Sequence, residues 1–120
     1  MNYIIFNTRD QILRLEISKI VYFEADGNYT KVVMANKLNT LLPTGLSHIE
    51  KLLATQLQEK DAATFIRVGK RFIINRRFIY LVNMAKQCLV LSDFDNFAFQ
   101  LPLSKVALKN LKDLVVNLRE

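Results

Sequence analysis

Two β-branched and aromatic runs, Ile20 to Ala25 and Tyr29 to Ala35, flank Asp26-Gly27-Asn28, and this arrangement constrains the fold most strongly. An Asp-Gly pair between such runs signals a tight hairpin, because glycine accepts the positive φ that the turn demands. The same punctuation recurs along the chain. Tyr3 to Phe6 and Gln11 to Leu15 are split by the turn-rich Asn7-Thr8-Arg9-Asp10, and Leu38 to Leu42 is closed by Pro43 and Gly45. Thr64 to Val68, Phe72 to Asn75, Ile79 to Met84, Cys88 to Leu91 and Phe97 to Leu101 complete the short strand-like runs, with Ser92 to Asn96 as a turn. There is no regular alternation of strand and helix, so a parallel α/β sheet is excluded and a β-rich domain follows.

Two segments change period. Leu46, Ile49, Leu52, Leu53 and Leu57 recur at helical spacing, and Ser47 with Glu50 matches a capping box. Ser104 is the expected cap of a closing helix whose apolar stripe is Leu108, Leu111, Val115 and Leu118. At 120 residues with 51% hydrophobic residues, the chain is expected to fold as a single domain over residues 1–120.

Charge is unevenly placed. The net charge is +6, and no carboxylate occurs between Asp61 and Asp93. Within that block Phe65 to Tyr80, FIRVGKRFIINRRFIY, carries Arg67, Lys70, Arg71, Arg76 and Arg77. Cations concentrated among core-forming residues suit a polyanionic partner, and nucleic acid is the commonest polyanion in a cell. A solvated basic face is the plain alternative.

Other chemistries find little support. With one histidine and one cysteine, His48 and Cys88, far apart in sequence, no disulfide, thiolate metal cluster or nucleophile–base pair is expected. The three glycines are scattered and form no phosphate loop. Asp93 and Asp95 are explained by a turn as well as by calcium. Neither a signal segment nor a run of ~18 apolar residues is present, so no membrane partner is expected and a reducing cytoplasm is the simplest location. No cofactor or metal is expected, and an enzyme is a distant reading.

At Ile20 to Val33, IVYFEADGNYTKVV, the sequence closely resembles the opening signature of LytTR DNA-binding domains. Phe65 to Asn75, FIRVGKRFIIN, is similar to that family's F-x-R-x-H-[KR]-S-[FY]-[IL]-[VI]-N, and Leu101 to Lys105, LPLSK, resembles its P-[VL]-S-[RK] before the last helix. The three occur in the family's order and spacing, from about Ile12 to Leu118. The resemblance implies a mainly β fold, an elongated stack of short sheets with two short helices. It implies loops and strand ends, rather than a helix, in successive major grooves of double-stranded DNA. The contacting residues would be Asn28, Thr30 and Lys31 after the first turn, Lys70 and Arg71 in the second, and Lys105 at the last helix.

The resemblance further implies a bacterial transcriptional regulator of response-regulator type, with two copies on a paired operator site and a sensor kinase/receiver pathway upstream. Met1 lies just ahead of the first strand, which fits either a free-standing protein or a portion of a longer one. Two residues depart from the family pattern: Gly69 stands where histidine is usual, and Arg71 where serine is usual. Arginine can bond bidentately to guanine or grip a phosphate, so the preferred DNA sequence is not transferred. Two rivals remain: an RNA or single-strand binder stacking bases on Tyr29, Phe72 or Phe78, and a β-rich protein-interaction module whose charge serves solubility. Arg67 and Asn75, set within apolar runs, are expected to serve the fold.

Overall fold

A computed structural model of the chain describes residues 2–117. It contains ten strands: β1 (Tyr3–Asn7), β2 (Ile12–Glu16), β3 (Ile20–Asp26), β4 (Tyr29–Met34), β5 (Asn39–Leu42), β6 (Phe65–Val68), β7 (Phe72–Asn75), β8 (Ile79–Asn83), β9 (Cys88–Ser92) and β10 (Ala98–Pro102). Each overlaps one of the runs expected from sequence. Three α-helices accompany them, α1 (Leu46–Gln56), α2 (Glu59–Ala62) and α3 (Lys105–Asn117). All strand pairing is antiparallel, in a two-stranded sheet β1-β2, a five-stranded sheet β5-β4-β3-β7-β6 and a three-stranded sheet β10-β9-β8. The fold is thus mainly β, in several short sheets. The chain divides into two compact units, Met1–Arg76 and Arg77–Glu120.

In the first unit, strand alternation sends Phe23, Val32 and Ile73 to one face of the five-stranded sheet. There they join Leu42, the α1 residues Leu46, Ile49 and Leu53, and Ile4, Phe6 and Leu15 of the first hairpin in one buried cluster. Phe23 is central to it, with the rings of Phe6 and Phe65 edge-on at 6.2 and 6.1 Å. On the other face Tyr22, Val33, Phe72 and Ile74 are also buried, with Tyr22 and Phe72 in edge contact at 6.1 Å. The uninterrupted apolar run at the start of β3 reflects this burial on both faces. Asn75 is fully buried at the end of β7, and its side-chain amide donates to the Ile20 carbonyl at 2.9 Å. Its expected structural role is thereby given a partner.

Helix α1 begins two residues earlier than its capping box suggests. Gly45 occupies the cap without a side-chain hydrogen bond, and Ile49 N donates to its carbonyl at 3.2 Å. Burial of Leu46 draws that residue into the first turn and leaves Ser47 exposed inside the helix. Glu50, the expected capping partner, instead bonds to Arg67 of β6. The four-residue α2 has no buried residue, so no periodic stripe announced it.

The second unit is a three-strand meander with α3. Leu89, Val90 and Leu91 of β9 are buried, as are Leu101, Leu103, Leu108 and Leu111. Ser104 caps α3 as expected: Ala107 N donates to its hydroxyl at 3.2 Å and Leu108 N to its carbonyl at 3.0 Å. Leu118, the last residue of the expected stripe, lies outside the described residues. In the 93–96 turn, Asp93 Oδ1 accepts from the backbone of Asp95, Asn96 and Phe97 at 3.0, 2.7 and 3.1 Å. Both carboxylate oxygens serve the turn, because Asn96 Nδ2 donates to Oδ2 at 3.2 Å.

Candidate nucleic-acid interface

The site is laid out by the registers of β3, β4, β6 and β7. Pairing of Asp26 with Tyr29 leaves Gly27 and Asn28 as a two-residue turn, with Gly27 at φ +60°. Pairing of Val68 with Phe72 leaves Gly69, Lys70 and Arg71 as a three-residue turn, with Gly69 at φ +62°. Strand β7 is antiparallel to β3 and starts opposite Glu24, near the end of β3. Both turns therefore leave the same end of one sheet. A backbone hydrogen bond ties them there, Ala25 N donating to Arg71 O at 2.8 Å.

Asn28 and Lys70 are exposed at the two tips. Arg67 lies behind Lys70, with Nη2 donating to the Lys70 carbonyl at 3.1 Å and Nη1 bonded to Glu50. It joins β6, the turn and α1, in keeping with its expected structural role. Arg71 remains 59% exposed while Nη2 contacts Glu24 Oε2 at 2.7 Å. Its guanidinium carbon also lies 5.5 Å from the centroid of the Phe72 ring. Lys31 places Nζ 3.3 Å from Glu24 Oε1. One carboxylate therefore holds two of the expected DNA-contacting cations. Beneath it, Tyr22 is pushed above the usual phenol range by burial, with the charge of Glu24 adding to the effect.

Thr30 must be removed from the contacting set. Its side chain is fully buried and its hydroxyl donates to the Thr44 carbonyl at 2.7 Å. Successive strand residues face opposite sides, so Thr30 and Lys31 cannot share a ligand-facing surface. Thr30 pairs with Ala25, on the side of Phe23 and Val32, whereas Lys31 pairs with Glu24. The same register would have exposed what sequence reading missed at Glu24. Counting back from a two-residue turn sets Glu24 directly opposite Lys31.

In the second unit, Lys105 is exposed at the first residue of α3, immediately after the Ser104 cap. Among the aromatic candidates for base stacking, Phe72 is 1% exposed and closed to a ligand, while Tyr29 is 49% exposed. Among the described residues, no helix is long and apolar enough to cross a membrane.

The exposed Gly27-Asn28 turn and the cationic turn Gly69 to Arg71 thus share one end of a β-sheet in a β-rich domain. The chain belongs to the LytTR family: the family model, described as the LytTr DNA-binding domain, matches residues 10–115 and spans both units. This is a family of DNA-binding domains rather than of enzymes. A solved structure with a similar fold is the LytTr DNA-binding domain of a Bacillus cereus protein described as a methyl-accepting/DNA response regulator. The two are 22% identical with a TM-score of 0.64, over 96% of this chain and 97% of that one. No curated protein is similar enough in sequence to count as a match.

Proposed function

We propose that this domain binds double-stranded DNA in a sequence-specific manner, as the DNA-reading part of a bacterial transcriptional regulator. The observation that carries the reading is the convergence of two exposed turns at one sheet end, bearing Asn28, Lys70 and Arg71 with Lys31 alongside. Lys70 and Arg71 are suited to base edges in a major groove, where a guanidinium can bond to both O6 and N7 of guanine. Lys31 and Lys105 are suited to phosphates, and Asn28 to either. Burial of Phe72 counts against single-strand stacking as the main mode. Two copies on a paired site, a cytoplasmic location and control through a receiver pathway belong to the same proposal. For the last of these, the description of the Bacillus cereus neighbour as a response regulator is the support.

Selection from a randomised duplex library at two salt concentrations tests the reading. The expected result is an enriched, spaced pair of motifs. Affinity should fall steeply with salt, the log–log slope being roughly −0.9 for each phosphate neutralised. Failure to enrich any motif, or preference for the same sequences as single strands, would overturn it.

A further inference from the structure

We infer that Glu24 is a positioning residue for DNA sequence discrimination, acting by holding Arg71 in a fixed orientation; this deepens the DNA-binding reading and rests on it. Glu24 sits in the central strand β3 with Lys31 as its cross-strand partner on one side and Phe72 on the other. Its side chain is only 20% exposed, and it divides its two oxygens between Lys31 and Arg71. The cationic partners are more open to solvent, Lys31 at 35% and Arg71 at 59%, so screening keeps the contribution of these ion pairs to stability small.

Arg71 is a turn residue with a long side chain that would otherwise sample many rotamers. Glu24 engages its Nη2, and the Phe72 ring lies beside the guanidinium. A guanidinium has five N–H donors, so most remain for an outside ligand, and the side chain is exposed enough to use them. A fork held in advance loses less freedom on meeting a guanine edge, which raises affinity for the correct base. The carboxylate also offsets one of the two cations that it touches. Attraction to phosphates in general is thereby lowered. The first effect widens the gap between the correct site and any other DNA, while the second lowers affinity for all DNA alike.

The test uses the full chain, the duplex enriched by selection and a scrambled duplex of equal length and composition, with anisotropy titrations at two salt concentrations. Glu24→Gln, which keeps the shape and removes the charge, should bind the scrambled duplex more tightly. It should lower the ratio of specific to non-specific affinity by about tenfold. In an Arg71→Ala background the same change should move that ratio by less than about twofold, since the pair acts as one unit. Arg71→Lys retains the charge without the fork and leaves the core untouched, so it should lose the ratio while keeping non-specific affinity. If Glu24→Gln and Arg71→Lys both keep the wild-type ratio, or Glu24→Gln lowers it equally with and without Arg71, the inference is overturned while DNA reading stands. If the wild type does not distinguish the two duplexes, the functional reading itself falls and carries this one with it.

Discussion

The side-chain amide of Gln56 hydrogen-bonds both backbone groups of Ile5, accepting from its N–H at 2.9 Å and donating to its carbonyl at 2.8 Å. It thus occupies the edge of β1 as a neighbouring strand would. An open edge is a template for pairing with another chain, and here a residue of the last turn of α1 closes it. Gln56→Ala should lower unfolding free energy by about 1 kcal/mol, the net worth of one or two exposed hydrogen bonds. It should also raise concentration-dependent association. Urea denaturation and sedimentation measure the two effects, and wild-type values in both would show that this contact does not guard the edge.

Thr30→Val tests the reassignment of Thr30 from DNA contact to core. The substitution keeps the branched shape and removes the hydroxyl bonded to Thr44. Stability should fall by about 1 kcal/mol, with DNA affinity and base preference unchanged. A selective loss of DNA affinity at wild-type stability would return Thr30 to the interface.

Lys70→Ala and Lys105→Ala should each weaken DNA binding without shifting the melting temperature, because both side chains are exposed. A lysine that neutralises a phosphate should reduce the salt slope by about one, whereas one that reads a base should alter preference at one position. Lys105 is expected to show the first pattern and Lys70 the second. A variant that binds every duplex like the wild type would exclude its lysine from the interface.

Asp93 gives the fold a dependence on acid. Desolvation pushes its carboxyl upward, but the backbone donors of Asp95, Phe97 and Asn96, with the Asn96 side chain, together outweigh this and hold it below its ordinary value of 3.8. A group lowered on folding stabilises the native state above its unfolded value, and that contribution is lost as pH falls through the folded value. Thermal melts of the wild type should therefore lose stability on acidification below about pH 4 through a component that Asp93→Asn lacks. A difference in melting temperature between the two proteins that is constant with pH would refute this.

The strands were legible because each is a short apolar run closed by turn residues, so local chemistry alone marks them. Helix α3 was legible through Ser104 and its Leu108–Leu111 stripe. The start of α1 was not, because burial of Leu46 outweighed the local capping preference of Ser47, and α2 has no buried face to read. For the interface, the two turns and the cations Lys31, Lys70 and Arg71 in or near them were visible in the motifs. The faces were not, since a residue-by-residue resemblance ignores the pleat that separates Thr30 from Lys31. The hold of Glu24 on Arg71 spans 47 positions and arises from the pairing of β3 with β7. No local pattern encodes it.

Gly27 and Gly69 let the chain reverse at one rim of a sheet whose interior is already complete without the tip residues. The side chains that would choose a DNA address are consequently separable from those that keep the domain folded. Descendants of this chain could acquire new targets by exchanging a handful of tip residues, with the scaffold inherited intact.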